Sequence, residues 1–447
     1  MKLRKTAVIA AAALATASLL AACGSSDSDS GSGSGSGSGE KVNLSYWLWD
    51  ANQQPGYQKC ADAFTAANPN ISVTVKQFGW DDYWSGITTG LVSGTAPDVF
   101  TDHASYFPTF VEKHQILPID DQQVDVSAYQ KGLPELWVGT DGKRYGLPKD
   151  NGLVGLYVNS GLLSKAGKTD ADLGDLTWNP TDGGSFEKLI AHLTVDKAGK
   201  RGDEAGFDKN KVDVYGLGLN GAGDGAGESI WAQYALSNGW TYYSGDTSKP
   251  HFNYDDPKFL DTMKWFKGLS DKGFMPSLKI ATSGVGMQQT YGAGKYAMTT
   301  DGVWSAQSYA ELKDVKTTIA ALPTGPAGRQ STANSLGDAV TATTKHPAEA
   351  KKLLVFLGGK DCQSIIGQAG VVLPAMTSAL EDAKATFQKN GIDIAPFLAP
   401  TTHTEPVVPQ WADAMAIFQP AMQAYLNGQG DVNAFVGVND QINKLYQ

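Results

Sequence analysis

V-N-L-S-Y-W-L (Val42–Leu48) alternates apolar and polar side chains in the manner of a β-strand, and from about Tyr57 to Ala67 the apolar positions recur at helical spacing. Ile71–Val75 is a second, β-branched run, and Tyr83–Ser93 reads as a second helix. Asp98–Phe100 is a third short strand behind the breaker pair Ala96 and Pro97. Strand and helix units of this length imply a mostly parallel sheet flanked by helices, an α/β architecture. Ligands of such sheets bind beyond the carboxyl ends of the strands. The residues that follow the three strands are Trp49 and Asp50, then Phe78, Trp80, Asp81 and Asp82, then Asp102 and His103.

Farther along, R-Y-G-L-P-K-D-N-G-L-V-G-L-Y-V (Arg144–Val158) reads as an extended crossing segment interrupted by Gly and Pro. Helical patterns follow at Phe186–Leu193, Ser229–Ser237, Pro257–Lys272, Ala348–Leu357 and Cys362–Gly367. Short strands are expected at Lys295–Thr299 and Ala339–Thr343, a polar hairpin at Asp196–Lys211, and helical pieces from Trp411 to Tyr446.

Upstream of the first strand, Lys2, Arg4 and Lys5 precede an apolar run from Ala7 to Ala22 that is too short and Ala-rich for a comfortable membrane span. It reads as an export signal (1–22). Leu20, Ala21, Ala22 and Cys23 resemble a lipobox, in which Cys23 is acylated and becomes the new N-terminus. The Gly/Ser/Asp stretch after it completes a tether (23–40) with a reach of about 20–25 Å. The expected location is therefore the outer face of a bacterial cell membrane. About 400 residues remain, more than one core supports, so two lobes are expected. The formal charge is −10, and −13 without Lys2, Arg4 and Lys5, which argues against nucleic acid and anionic membrane surfaces as partners. With Cys23 lipidated, Cys60 and Cys362 are an even pair in an oxidising compartment, and a disulfide is expected, with two buried free thiols as the alternative.

F-T-A-A-N-P-N-I-S-V (Phe64–Val73), S-G-T-A-P-D-V-F (Ser93–Phe100), the segment Arg144–Asn159, G-K-Y-A-M-T-T-D-G-V-W (Gly294–Trp304), the segments within Ala321–Thr343 and H-P-A-E-A-K-K-L-L-V-F-L (His346–Leu357) run in one order through nearly all of the chain. In that order and spacing they resemble the family 1 extracellular solute-binding proteins of ABC importers, the group that includes maltose-binding protein. The resemblance implies a two-lobed periplasmic-binding-protein-like fold (type II), a hinge of crossing segments and a ligand trapped in the cleft. It implies lobe one over 41–150 plus 302–370 and lobe two over 151–301 plus 371–447. On this map the helices of Cys60 and Cys362 share a lobe. It further implies a carbohydrate ligand, permease subunits as partners, membrane contact through the lipid anchor alone, a monomer and no cofactor.

A sugar offers apolar C–H faces and a rim of hydroxyls, so its site needs flat aromatic surfaces together with carboxylates or amides. The chain has 11 Trp and 17 Tyr. The candidates for ligand contact are Trp49, Asp50, Trp80, Asp102, His103, Asp150, Trp231, Asp301, Trp304, Asp338 and Trp411, while Trp137, Trp178 and Trp265 read as core. Each tryptophan has a core alternative and each aspartate a cap or turn alternative.

No G-x-S-x-G elbow, Walker loop or H-E-x-x-H pattern is present, and the six His lack metal-ligand spacing, so no catalytic or metal site is expected. The run Gly221–Gly227 reads as a loop, and the acidic insert around Asp208 lacks the EF-hand order. Paired carboxylates about a sugar also suit glycoside hydrolysis, which is the enzymatic alternative. A polyamine or peptide ligand is the alternative within binding.

Overall fold

Two sheets of different character organise the chain in the computed structural model, which describes residues 40–120, 124–220, 226–283 and 285–447. The expected signal, Cys23, all but the last residue of the tether and Gly221–Gly225 lie outside the described residues. In chain order the strands are β1 (Val42–Leu48), β2 (Ile71–Gln77), β3 (Val99–His103), β4 (Gly152–Asn159), β5 (Val195–Asp196), β6 (Val212–Leu217), β7 (Tyr243–Asp246), β8 (Lys249–Phe252), β9 (Tyr296–Gly302), β10 (Thr317–Ala320), β11 (Gln330–Asn334), β12 (Leu336–Val340) and β13 (Thr401–Thr404).

The first sheet has the order β12-β3-β1-β2, with β1 parallel to both β2 and β3 and with β12 antiparallel at the edge. Alternation along β1 sends Leu44, Tyr46 and Leu48 into one core, with Phe64, Leu353, Leu354 and Leu357. It sends Trp47 to the other face, against a cluster of Tyr83, Trp84, Phe100 and Phe110. Helix Gln54–Ala67 has Pro55 in its first turn, where a missing amide hydrogen is harmless. The Cys60–Cys362 disulfide ties this helix to helix Lys360–Ala369.

The larger sheet runs β13-β11-β4-β9-β6-β5, with β10 also on β4. It is mixed, not mostly parallel: β4 is antiparallel to β9, β10 and β11, whereas β6 and β9 are parallel. The cause is the path of the chain, which enters this sheet from the first half and returns to it, so that β11 runs back beside β4. Its main core gathers Trp178, Phe186, Trp231, Trp240, Phe259, Trp265 and Phe418 under the helices Gly184–Leu193, Pro257–Asp271 and Trp411–Leu426. In the Asp196–Lys211 hairpin the Asp196 carboxylate accepts the backbone N–H groups of Ala198, Lys200 and Asp208, which makes it an organiser of the turn.

The residues that cross between the sheets differ from the expected boundaries. Residues 302–334, expected with the first lobe, carry β10 and β11 of the larger sheet, and the chain rejoins the smaller sheet only at Leu336. Val371 and Val372, expected with the second lobe, pack in the core of the first. The three crossings are knit together by backbone hydrogen bonds from Lys149 N to Leu336 O (2.7 Å), Asn151 N to Leu373 O (2.9 Å) and Ala375 N to Lys149 O (3.0 Å).

Candidate ligand-binding site

A cavity of about 440 Å³ lies where these crossings meet the carboxyl ends of β1, β3 and β9, the position that open α/β sheets give to ligands. Eight of the eleven candidates line it: Trp49, Asp50, Trp80, His103, Asp150, Asp301, Trp304 and Trp411.

β1 ends in Trp49 and Asp50. The Asp50 carboxylate is pinned by Asn52 N on Oδ1 and Gln53 Nε2 on Oδ2, both at 2.8 Å. Trp49 meets Trp80 edge-on, with centroids 5.1 Å apart, and lies against Tyr83 and Trp84; Trp84 in turn stacks on Tyr106 at 4.3 Å. Trp80, expected in a loop, opens helix Trp80–Ser93 and remains 38% exposed at the rim. Asp81 and Asp82 lie in the first turn of that helix, where they complement its dipole.

His103 is buried at the end of β3, and its Nδ1 accepts Ser105 N at 3.2 Å. The proton of the neutral ring therefore sits on Nε2, and burial pushes the pKa down to about 4, so His103 is neutral at ordinary pH. Asp102, one residue earlier, falls on the opposite side of the strand and is not among the lining residues. It is fully buried; Oδ1 accepts His103 N at 2.8 Å and Oδ2 has no partner among the described residues. Burial drives its carboxyl well above the usual range.

Asp150 sits on the first crossing, and its Oδ1 accepts Leu336 N at 2.9 Å. Burial raises its pKa to about 6, opposed by that hydrogen bond and by Lys149, and the charges of Asp50 and Asp338 push it farther up. Asp301 ends β9; its Oδ1 accepts Gly302 N (2.8 Å) and its Oδ2 accepts Tyr309 Oη–H (3.1 Å). Its pKa is likewise raised to about 6, first by burial, with Asp50 adding to the effect. The Trp304 ring lies over Gly302 so closely that a Cβ there would come within 2.2 Å of it, which explains the glycine.

Two further candidates leave the cavity for the cores. Trp231 is fully buried among Trp240, Phe259 and Phe418, beneath Gly227, whose positive φ (77°) and lack of Cβ let the ring approach. Asp338 is paired with the Lys149 ammonium at 3.1 Å, and both side chains are 1% exposed. Tyr46 Oη and Thr101 Oγ1 complete that cluster, and the ammonium stands 3.8 Å from the centroid of the Tyr57 ring. Burial pushes Lys149 down and Asp338 up, each opposed by the other's charge. Trp411 borders the cavity while stacking on Phe252 in the core.

The sequence reading missed several polar lining residues, notably Asn52, Gln53, Glu228, Gln288, Asn334 and Glu405. Asn52 is tied to the segment after β9: Ser308 Oγ donates to its Oδ1 at 3.0 Å, and its Nδ2 donates to Trp304 O at 3.5 Å. Glu228 accepts Asn334 Nδ2, and Glu405 accepts Ser105 Oγ at 3.5 Å. These residues belong to loops, a strand end and, for Gln288, the short helix Met287–Gly292, none of which carries a short motif.

A two-domain α/β scaffold with a cavity at the crossings defines a solute-binding architecture. Residues 59–393 match the model of the bacterial extracellular solute-binding proteins, and the chain belongs to that family. It is 27% identical over 402 residues to a binding protein of Brucella abortus, covering 88% of this chain and 90% of that one. It is 26% identical over 354 residues to the maltodextrin-binding protein of Bacillus subtilis, covering 77% of each. In fold it is similar to an ABC substrate-binding protein of Listeria monocytogenes solved in complex with cycloalternan (TM-score 0.76, 19% identity, 91% of this chain and 99% of that one). No helix among the described residues is long and apolar enough to cross a membrane.

Proposed function

We propose that this chain captures a carbohydrate in the cavity and delivers it, chemically unchanged, to the permease subunits of an ABC importer. The observation that carries this reading is the lining itself: the Trp49, Trp80 and Trp304 rings beside Asp50, Asp150, Asp301 and the Asn52 amide, in a space sized for a small ligand. The maltodextrin and cycloalternan of the related proteins' names support the same ligand class. On this reading one lobe is built on the four-stranded sheet and the other on the seven-stranded sheet, and the three crossings are the hinge. Export by the 1–22 signal, lipidation of Cys23 and a monomer on a short tether belong to the same proposal, because a delivery protein must stay near its membrane partner.

The test is a thermal-shift screen of neutral and charged mono- and oligosaccharides, with product analysis of each hit. A true ligand adds about 2.7 kcal/mol of stability at a hundred times its Kd and is recovered intact. Trp304→Ala is expected to weaken the hit about 10- to 100-fold through the lost stacking face. A consumed sugar turns the reading to hydrolysis, and a broad panel without a shift removes the carbohydrate.

A further inference from the structure

The cavity wall is unbalanced in charge. Five carboxyl side chains line it, Asp50, Asp150, Glu228, Asp301 and Glu405, whereas the described lining residues include no lysine or arginine. Its single basic side chain type is His103, which burial keeps neutral. The ammonium of Lys149 offsets part of the field at Asp50 and Asp150. It is nevertheless committed at 2.7–3.1 Å to Tyr46, Thr101 and Asp338, and Lys149 does not line the cavity.

The carboxylates are not equally engaged. Both oxygens of Asp50 and both of Asp301 accept hydrogen bonds from the protein. Asp150 is 3% exposed and lines the cavity, yet only its Oδ1 is bonded, to Leu336 N; its Oδ2 has no hydrogen-bond partner among the described residues. That oxygen is open to a donor from a ligand in the cavity. A neutral sugar supplies one hydroxyl to it and leaves the repulsion of Asp50 with Asp150 and with Asp301 in place. A cation satisfies the oxygen and lowers the shared repulsion in the same act, and the tryptophan faces beside it also favour a cation.

We infer that the ligand of this cavity is an aminated sugar whose ammonium group sits among Asp50, Asp150 and Asp301 and donates to Asp150 Oδ2. The inference rests on the carbohydrate reading and narrows it to sugars that carry a basic nitrogen. Burial raises the pKa of Asp150 and of Asp301 to about 6, with the charge of Asp50 adding to both, and an ammonium beside them would draw both back down.

The experiment is calorimetric titration of the full chain in mild detergent with the disaccharide of glucosamine, its N-acetylated form, cellobiose and putrescine. The aminated disaccharide is expected to bind at least about tenfold tighter than cellobiose, with an affinity that falls as salt rises from roughly 50 to 500 mM. Asp150→Asn keeps the acceptor for Leu336 N and is expected to shrink the aminated-to-neutral ratio to below about threefold. Asp301→Asn provides the same readout should Asp150→Asn fail to fold. Cellobiose or the acetylated disaccharide binding as tightly as the amine, or any other neutral sugar of the screen binding where the amine does not, overturns the inference and leaves the carbohydrate reading standing. Putrescine binding where no sugar does overturns the carbohydrate reading itself.

Discussion

Lys149 and Asp150 are neighbours in the chain and serve opposite regions of the molecule. Lys149 turns beneath the four-stranded sheet, where Asp338, Tyr46 and Thr101 meet its three hydrogens and the Tyr57 ring faces it. Asp150 turns into the cavity, where one oxygen is left over. The two regions are similarly buried. Inside the fold the Asp338 carboxylate is matched by a cation, and at the cavity five carboxyl side chains line a space with no lysine or arginine among the described lining residues. The difference separates what the structure keeps for itself from what it offers to a ligand.

Breaking the internal pair gives the largest expected effect. Lys149→Met strands Asp338 as an unpaired buried charge and is expected to cost about 3–5 kcal/mol in urea denaturation. The double variant Lys149→Met with Asp338→Leu is expected to recover most of that loss, since apolar replacement of a whole buried pair is close to neutral.

Asp102 tests the comparison from a third position, as a buried carboxyl with neither a cation nor a cavity. Its folded pKa lies above its unfolded value. The native state therefore holds the proton more tightly, and the stability this gives is present at low pH and lost as pH rises. Asp102→Asn keeps an acceptor for His103 N and is expected to stabilise the protein by about 1–3 kcal/mol at neutral pH. The gain should shrink toward pH 4, as read from melts across the pH range.

The smallest effect is a pair of opposed pH profiles at the cavity. Asp150, with its pKa raised to about 6, loses stability as pH climbs from about 4 through about 6. His103, depressed to about 4, loses stability as pH falls from about 6.5 through about 4. The stability of Asp150→Asn relative to the parent is thus expected to rise with pH over this window, and that of His103→Gln to fall with it. Profiles with the same sign would show that the two groups do not titrate as buried cavity residues.

Much of the first half was legible in the sequence because alternation in β1 to β3 and the helical spacing between them agree with one another. The larger sheet was harder: β10, β11 and β13 are four- or five-residue strands whose pairing depends on where the chain crosses, a long-range fact with no local pattern. At the site, Asp102 and His103 are both candidates by sequence, yet consecutive residues of a strand point to opposite faces and only one of them lines the cavity. That signal was present in the sequence. Trp231 carried no such signal, since nothing in G-E-S-I-W (Gly227–Trp231) tells a ring beneath a glycine from one beside a ligand. Asn52, Glu228 and Glu405 were invisible for the same reason, being ordinary polar residues made special by where the chain brings them.

The disulfide also sets an order of assembly. Cys60 is made 302 residues ahead of Cys362, and β12 must come back to β3 after β4, β5, β6, β9, β10 and β11 of the larger sheet have been made. The half that is begun first therefore waits open while most of the other is made, and that other is completed in turn by β13 and the helix Trp411–Leu426. A bonded Cys60–Cys362 pair is a covalent record that the late segment has reached its place, and a thiol-trapping time course would read the closure of the first half directly.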